Sequence, residues 1–184
     1  FKQFILNKDS SKWNTAFEPR DIIKLIHANY RNSQLTGYEI LTKYSRKEEF
    51  TIRQIISLGS HEILAIRQWC WNYFTTQKER IRTERNAALS ILDTTWDDTR
   101  TFAFHFFKTQ FEASDWDLDC LIDIVDSVLP EVEQFGKEMI TQHFNPNDGV
   151  VYLTKLSQHT SVNIQFFVTN YLKTYASDNV AKLQ

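Results

Sequence analysis

Glycine and proline are scarce in this chain, with four Gly and three Pro among 184 residues, against usual frequencies of about 7% and 5%. The turn chemistry of an all-β fold is therefore missing, and helices are the natural alternative. Long apolar runs are missing too. The stretches at 22–26 and 121–125 are short and broken by Lys24 and Asp123, so nothing approaches the roughly 20 apolar residues of a membrane span, and a soluble protein is expected. Only two cysteines are present, Cys70 and Cys120. They lie far apart on apolar segments, which suits reduced core thiols in a cytoplasmic setting better than a disulfide framework or a zinc site. The sequence opens on Phe1 without the basic and apolar regions of a secretory signal, which predicts an excised piece of a longer protein.

What is present is a core-forming helical composition, 42% hydrophobic and 24% charged, and a repeat. Ile66, Thr99, Val132 and Ile164 serve as anchors 33, 33 and 32 residues apart, and one further step back reaches Ser33. Three positions after each anchor stand Thr36, Trp69, Phe102, Phe135 and Phe167. Four after stand the small residues Gly37, Cys70, Ala103 and Gly136, then Val168. Seven and eight after come pairs such as Tyr73 with Phe74 and Met139 with Ile140. Positions 0, 3, 4, 7 and 8 form one apolar face of an α-helix. A second helix precedes each anchor, with Leu25, Leu58, Ile91, Ile124 and Leu156 eight positions before it.

Two helices per unit describe a hairpin that cannot cover its apolar face alone and must stack on its neighbours. The predicted fold is all-α, a solenoid of about five antiparallel hairpins forming one domain over 1–184. Ser114 with Asp115 is expected to open one first helix, and Pro130 to begin a second helix. The run 145–149 reads as a turn between repeats, and the polar connection 76–85 as a loop or a lengthened helix end. Phe4 and Ile5 fall in register one step upstream, as the remnant of a preceding helix would.

The second helices resemble HEAT/armadillo-like repeats. Ile66-Arg67 and Thr99-Arg100, each followed by a small residue, match the Val-Arg pair typical of a HEAT unit, whereas Val132-Glu133 and Ile164-Gln165 lose the Arg. The period is shorter than the usual HEAT value of about 40 to 47, yet ankyrin and tetratricopeptide signatures are absent. The segment 96–176 also resembles helical-repeat regions of large bacterial multidomain proteins. The resemblance implies a stacked helical scaffold; for some members, including DNA glycosylases of that fold, it implies nucleic-acid binding.

No catalytic or cofactor motif emerges. Asp115, Asp117, Asp119, Asp123 and Asp126 follow an EF-hand-like count, but Cys120 stands where the calcium loop requires Gly, and the helical register runs through it. An acidic first turn of a helix is the simpler reading. The five histidines lack ligand spacing, and His61 and His159 share a column that reads as a turn. There is no phosphate loop and no nucleophile elbow.

Charge is uneven. Residues 1–88 hold 15 Lys and Arg against 9 Asp and Glu, and residues 89–184 hold 6 against 14, a polarity that suggests partners of opposite sign. The expected function is a non-catalytic scaffold that binds a protein or peptide along the second helices, without cofactor or metal. The alternative is nucleic-acid binding by the basic half. Candidate partner-binding residues lie one and five positions after the first three anchors, flanking the buried stripe: Gln34 with Tyr38, Arg67 with Trp71, and Arg100 with Phe104.

Overall fold

A computed structural model describes residues 17–44, 46–143 and 149–176, with the backbone alone at 149–151, 153 and 172–176. Every element among them is helical. First helices begin at residues 19, 52, 85, 118 and 149, and second helices at 31, 64, 97, 130 and 162, so the sequence period reappears as a period in helix starts. The chain divides into two compact units, Phe1–His105 and Phe106–Gln184.

In the first unit, α1 (Pro19–Ile26) pairs with α2 (Arg31–Lys43), and α3 (Ile52–Gly59) pairs with α4 (Leu64–Thr76). Pro19 sits in the first turn of α1, where a missing N–H costs nothing. Thr51 begins α3 with a full capping box: its hydroxyl accepts the Gln54 N–H, and the Gln54 side chain accepts the Thr51 N–H. The polar connection after α4 is a short helix, α5 (Lys78–Thr83). Its Arg80 donates to the Tyr73 hydroxyl at 2.6 Å, the Phe50 carbonyl at 2.8 Å and the Glu48 carbonyl at 2.9 Å, which ties it to the chain entering α3. The third first helix is only one α turn, α6 (Arg85–Ala88), continued as a 3₁₀ stretch Leu89–Asp93. Both parts pack on α3. Helix α7 (Asp97–Gln110) begins in the first unit and ends in the second.

In the second unit, α8 (Leu118–Val125) pairs with α9 (Pro130–His143), and α10 (Gly149–Ser157) pairs with α11 (Val162–Ala176). Pro130 begins its helix as expected. The start of α8 falls later than Ser114-Asp115. Residues Ala113–Asp115 form a 3₁₀ turn, and Asp117 is the cap, accepting the Cys120 N–H at 2.8 Å. Of the expected turn 145–149, only Gly149, the first residue of α10, lies within the described residues; Phe4 and Ile5 lie outside them.

The expected stripes are where the core sits. Gly37, Cys70, Ala103, Gly136 and Val168 are all buried, as are Leu58, Ile91, Ile124 and Leu156 from the first helices. The small column marks close approach between paired helices: a Cβ added to Gly37 would lie 2.8 Å from the Ile26 nitrogen, and one added to Gly136 would lie 2.8 Å from the Val125 nitrogen.

Candidate interaction surface

The site begins at the turn between the two helices of each hairpin. In every hairpin but the first, where Ala28 holds the position, the residue five before the anchor caps that turn. His61 Nδ1 accepts the Ile63 N–H at 3.0 Å, Thr94 Oγ1 the Trp96 N–H at 3.4 Å, Ser127 Oγ the Leu129 N–H at 3.2 Å, and His159 Nδ1 the Ser161 N–H at 3.0 Å. Side chains that accept an N–H two residues onward, as Ser and Thr hydroxyls commonly do, stabilise such turns. The shared column of His61 and His159 is thus a turn cap, as its spacing suggested.

Three of these residues also reach back to the preceding hairpin. His61 Nε2 lies 3.0 Å from the Ile26 carbonyl, Thr94 Oγ1 lies 3.4 Å from the Gly59 carbonyl, and His159 Nε2 lies 2.6 Å from Asp126 Oδ1. Each contact takes up a group at the C-terminal end of a first helix, where carbonyls lack intrahelical partners.

Geometry divides the candidate binding residues into two sets. Those one position after the anchor seal the turn from the other side. Gln34 donates to the Ala28 carbonyl at 3.0 Å, Arg67 to the His61 carbonyl at 2.8 Å, and Arg100 to the Thr94 carbonyl at 2.5 Å; in the last hairpin Gln165 donates to the His159 carbonyl at 2.6 Å. Gln34 and Arg67 are buried, at 9% and 5% exposure. Arg67 also forks onto Asp98, stacks its guanidinium 4.0 Å from the Trp96 ring, and donates to the Glu62 carbonyl. A side chain so engaged inside the fold has little left to offer a partner.

Residues five after the anchor are half-buried: Tyr38, Trp71 and Phe104. Trp71 stacks on Phe102 of the next hairpin with centroids 5.6 Å apart, and its indole N–H donates to Thr99 Oγ1 at 3.1 Å. Thr99 in turn donates to the Gly59 carbonyl. Lys137 holds the same column in the second unit and lies 6.0 Å from the Phe167 ring. There a shallow cleft between α9 and α11 is lined by Gln134, Lys137, Glu138, Thr141, Gln142 and Phe167. Lys137 pairs with Glu133, and Glu138 pairs with Lys108. Hydrogen bonds from Lys108 and then Gln134 hold the Glu138 carboxyl below its usual range.

Sequence reasoning missed the most exposed apolar side chains. Among the described residues these are Tyr30, Leu35, Leu64, Val128, Val162 and Phe166, and each lies between four positions before and two after an anchor. None is on a first helix. The signal was available, since positions two before and two after an anchor fall off the buried stripe, and a Leu, Val or Phe there has no reason in the core.

Within the acidic run, Asp117 caps α8, Asp119 pairs with Lys155, and Asp126 meets His159. Among the described residues no group of three or more His, Cys, Asp or Glu could hold a metal ion, and no helix is long and apolar enough to cross a membrane. No family model, curated protein or solved structure matches this chain.

Proposed function

We propose that the chain is a HEAT/armadillo-like solenoid of five hairpins acting as a non-catalytic scaffold, with a protein or peptide partner bound along its second helices. The observation that carries this reading is the placement of exposed apolar side chains. They gather at the N-terminal ends of second helices and their entry turns, while first helices expose charged residues such as Arg20, Lys24, Arg53, Asp119 and Asp123. Exposed apolar groups confined to one edge of a repeated unit mark a contact surface. The half-buried aromatics Tyr38, Trp71 and Phe104 stand beside that edge and supply the large, partly desolvated area that interface hot spots use. Gln34, Arg67 and Arg100 shape the surface from beneath.

The basic half favours a protein partner over nucleic acid. Among its described residues seven cations, Arg20, Arg31, Lys43, Arg46, Arg67, Arg80 and Arg82, lie within 3.8 Å of a carboxylate, which leaves fewer charges to neutralise phosphates.

Peptides selected against the folded chain from a random display library, mapped by amide chemical shifts, test the proposal. Shifts should cluster at Leu35, Tyr38, Leu64 and Trp71. Clustering on first helices, or failure to select peptides together with duplex DNA binding that weakens steeply with salt, would reverse it.

A further inference from the structure

The turn-capping column holds two kinds of side chain. Thr94 and Ser127 cap with a hydroxyl, which carries the same hydrogen at any pH near neutrality. His61 caps with an imidazole, both of whose nitrogens are in use. Because Nδ1 accepts the Ile63 N–H, the ring proton sits on Nε2 and is donated to the Ile26 carbonyl, both at 3.0 Å. A second proton would have to go onto Nδ1, where it would face the Ile63 N–H and turn an acceptor into a donor opposed by a donor. The ring is 4% exposed, so water cannot readily take over the lost bond.

Groups from each neighbouring element set the electrostatics. At the end of α1, His27 places its ring 5.4 Å from that of His61, and Ser57 of α3 lies 3.2 Å from its Nε2. From α4, the Arg67 guanidinium donates to the His61 carbonyl itself. The carboxylates nearby are already engaged: Glu62, in the same turn, lies 3.7 Å from Arg31 of α2, and Asp98 of α7 is bound by Arg67. One cation, Arg67, and a second imidazole, His27, thus face His61, and each nearby anion is paired elsewhere. Burial and the charge of His61 lower the affinity of His27 for its proton.

We propose that His61 makes the joint between the first two hairpins acid-labile, so that a second proton on its ring removes the acceptor of the Ile63 amide and opens the turn into α4, while the next joint, closed by Thr94, is insensitive to the same change. The fold would then loosen at one defined turn in mild acid, beside Leu64 and the proposed contact edge. This device stands whether or not that edge binds a protein.

Amide hydrogen exchange at about pH 7.5 and 5.5, corrected for intrinsic rates, reads the two joints separately. Protection of the Ile63 amide should fall about tenfold or more in acid, while that of Trp96, whose acceptor is Thr94, should change less than about twofold. In His61→Thr, which borrows the cap of the following hairpin, the Ile63 amide should lose its acid response. Equal losses at Ile63 and Trp96, no loss at Ile63, or an undiminished loss in His61→Thr would each overturn the proposal. Should His61→Thr not fold, the contrast between the two amides in the unaltered chain decides alone.

Discussion

Gly59 lies against the Cys70 thiol: a Cβ built on Gly59 would come 3.2 Å from Cys70 Sγ. The two residues are eleven apart, and so are Ile26 with Gly37 and Val125 with Gly136, where the glycine is on the other helix. Each pair holds one residue without a side chain and one with, so the two helices of each hairpin approach closely while the void is filled from either side. Leu92 with Ala103 and Ser157 with Val168 follow the same spacing.

This exchange of sizes ranks substitutions. In Gly136→Ala the new methyl would sit 2.7 Å from Val125 Cγ2 and 2.8 Å from its backbone nitrogen, and backbone cannot step aside cheaply. Overpacking should outweigh the helix-propensity gain of about 1 kcal/mol and leave a net loss of about 1 to 3 kcal/mol. Gly59→Ala meets only side chains, at 3.2 Å or more, and should be nearly neutral. Urea unfolding of the two variants checks the order, and equal losses would count against the close approach.

Arg67→Ala should destabilise by about 2 to 4 kcal/mol, because it strips partners from the His61 and Glu62 carbonyls and leaves Asp98 unpaired. Arg67→Lys should recover little of it, since an ammonium cannot reproduce the fork. Trp71→Ala is for that reason the better probe of binding than any change at 67. A melting temperature unmoved by Arg67→Ala would show the clasp to be incidental.

Acid should weaken the fold in the range where histidines titrate. Burial, with the charge of His61 added, lowers His27, and burial lowers His143, which stacks on Trp116. A group held below its ordinary 6.5 in the folded state supports folding above pH 6.5. That support is lost as pH falls through 6.5 toward the folded value, because the unfolded chain takes up the proton first. Melting temperature should drop between about pH 7.5 and 5.5, and less so in His143→Gln. A flat or rising curve over that range would contradict the assignment.

Both thiols should be silent in the native protein. Cys70 and Cys120 are buried, and burial pushes the Cys70 thiol far above its usual range. A disulfide reagent at pH 8 should find no fast-reacting thiol until denaturant is added. A rapid reaction at either cysteine would mean that its hairpin opens far more readily than the packing implies.

Much of the helical plan could be read from spacing alone, because buried stripes recur at a fixed interval and helix starts follow them. The fate of Gln34, Arg67 and Arg100 could not. A helical wheel places them at the flank of the stripe but does not reveal that the chain turns back six residues earlier and offers a carbonyl within reach. The cap at Asp117 was masked by Ser114 and Asp115, which are equally fit for that role by residue type. The close pairing of Ile26 with Gly37 and of Gly59 with Cys70 was visible as a spacing, yet it acquires meaning only once the two helices are known to be antiparallel neighbours.

Removing one whole hairpin tests the repeat architecture most directly, with the loss of half a hairpin as its counterpart, both read as the cooperativity of a circular-dichroism melt. Excising 77–109 joins Thr76 to Gln110 and deletes one 33-residue period, so that Glu131 takes the place of Asp98 opposite Arg67. Excising 77–94 removes only the first half of that hairpin and leaves α7 without its partner. Stacked, nearest-neighbour hairpins predict that the first protein melts as a single cooperative unit and the second does not. Loss of cooperative folding in both, or its retention in both, would contradict the repeat.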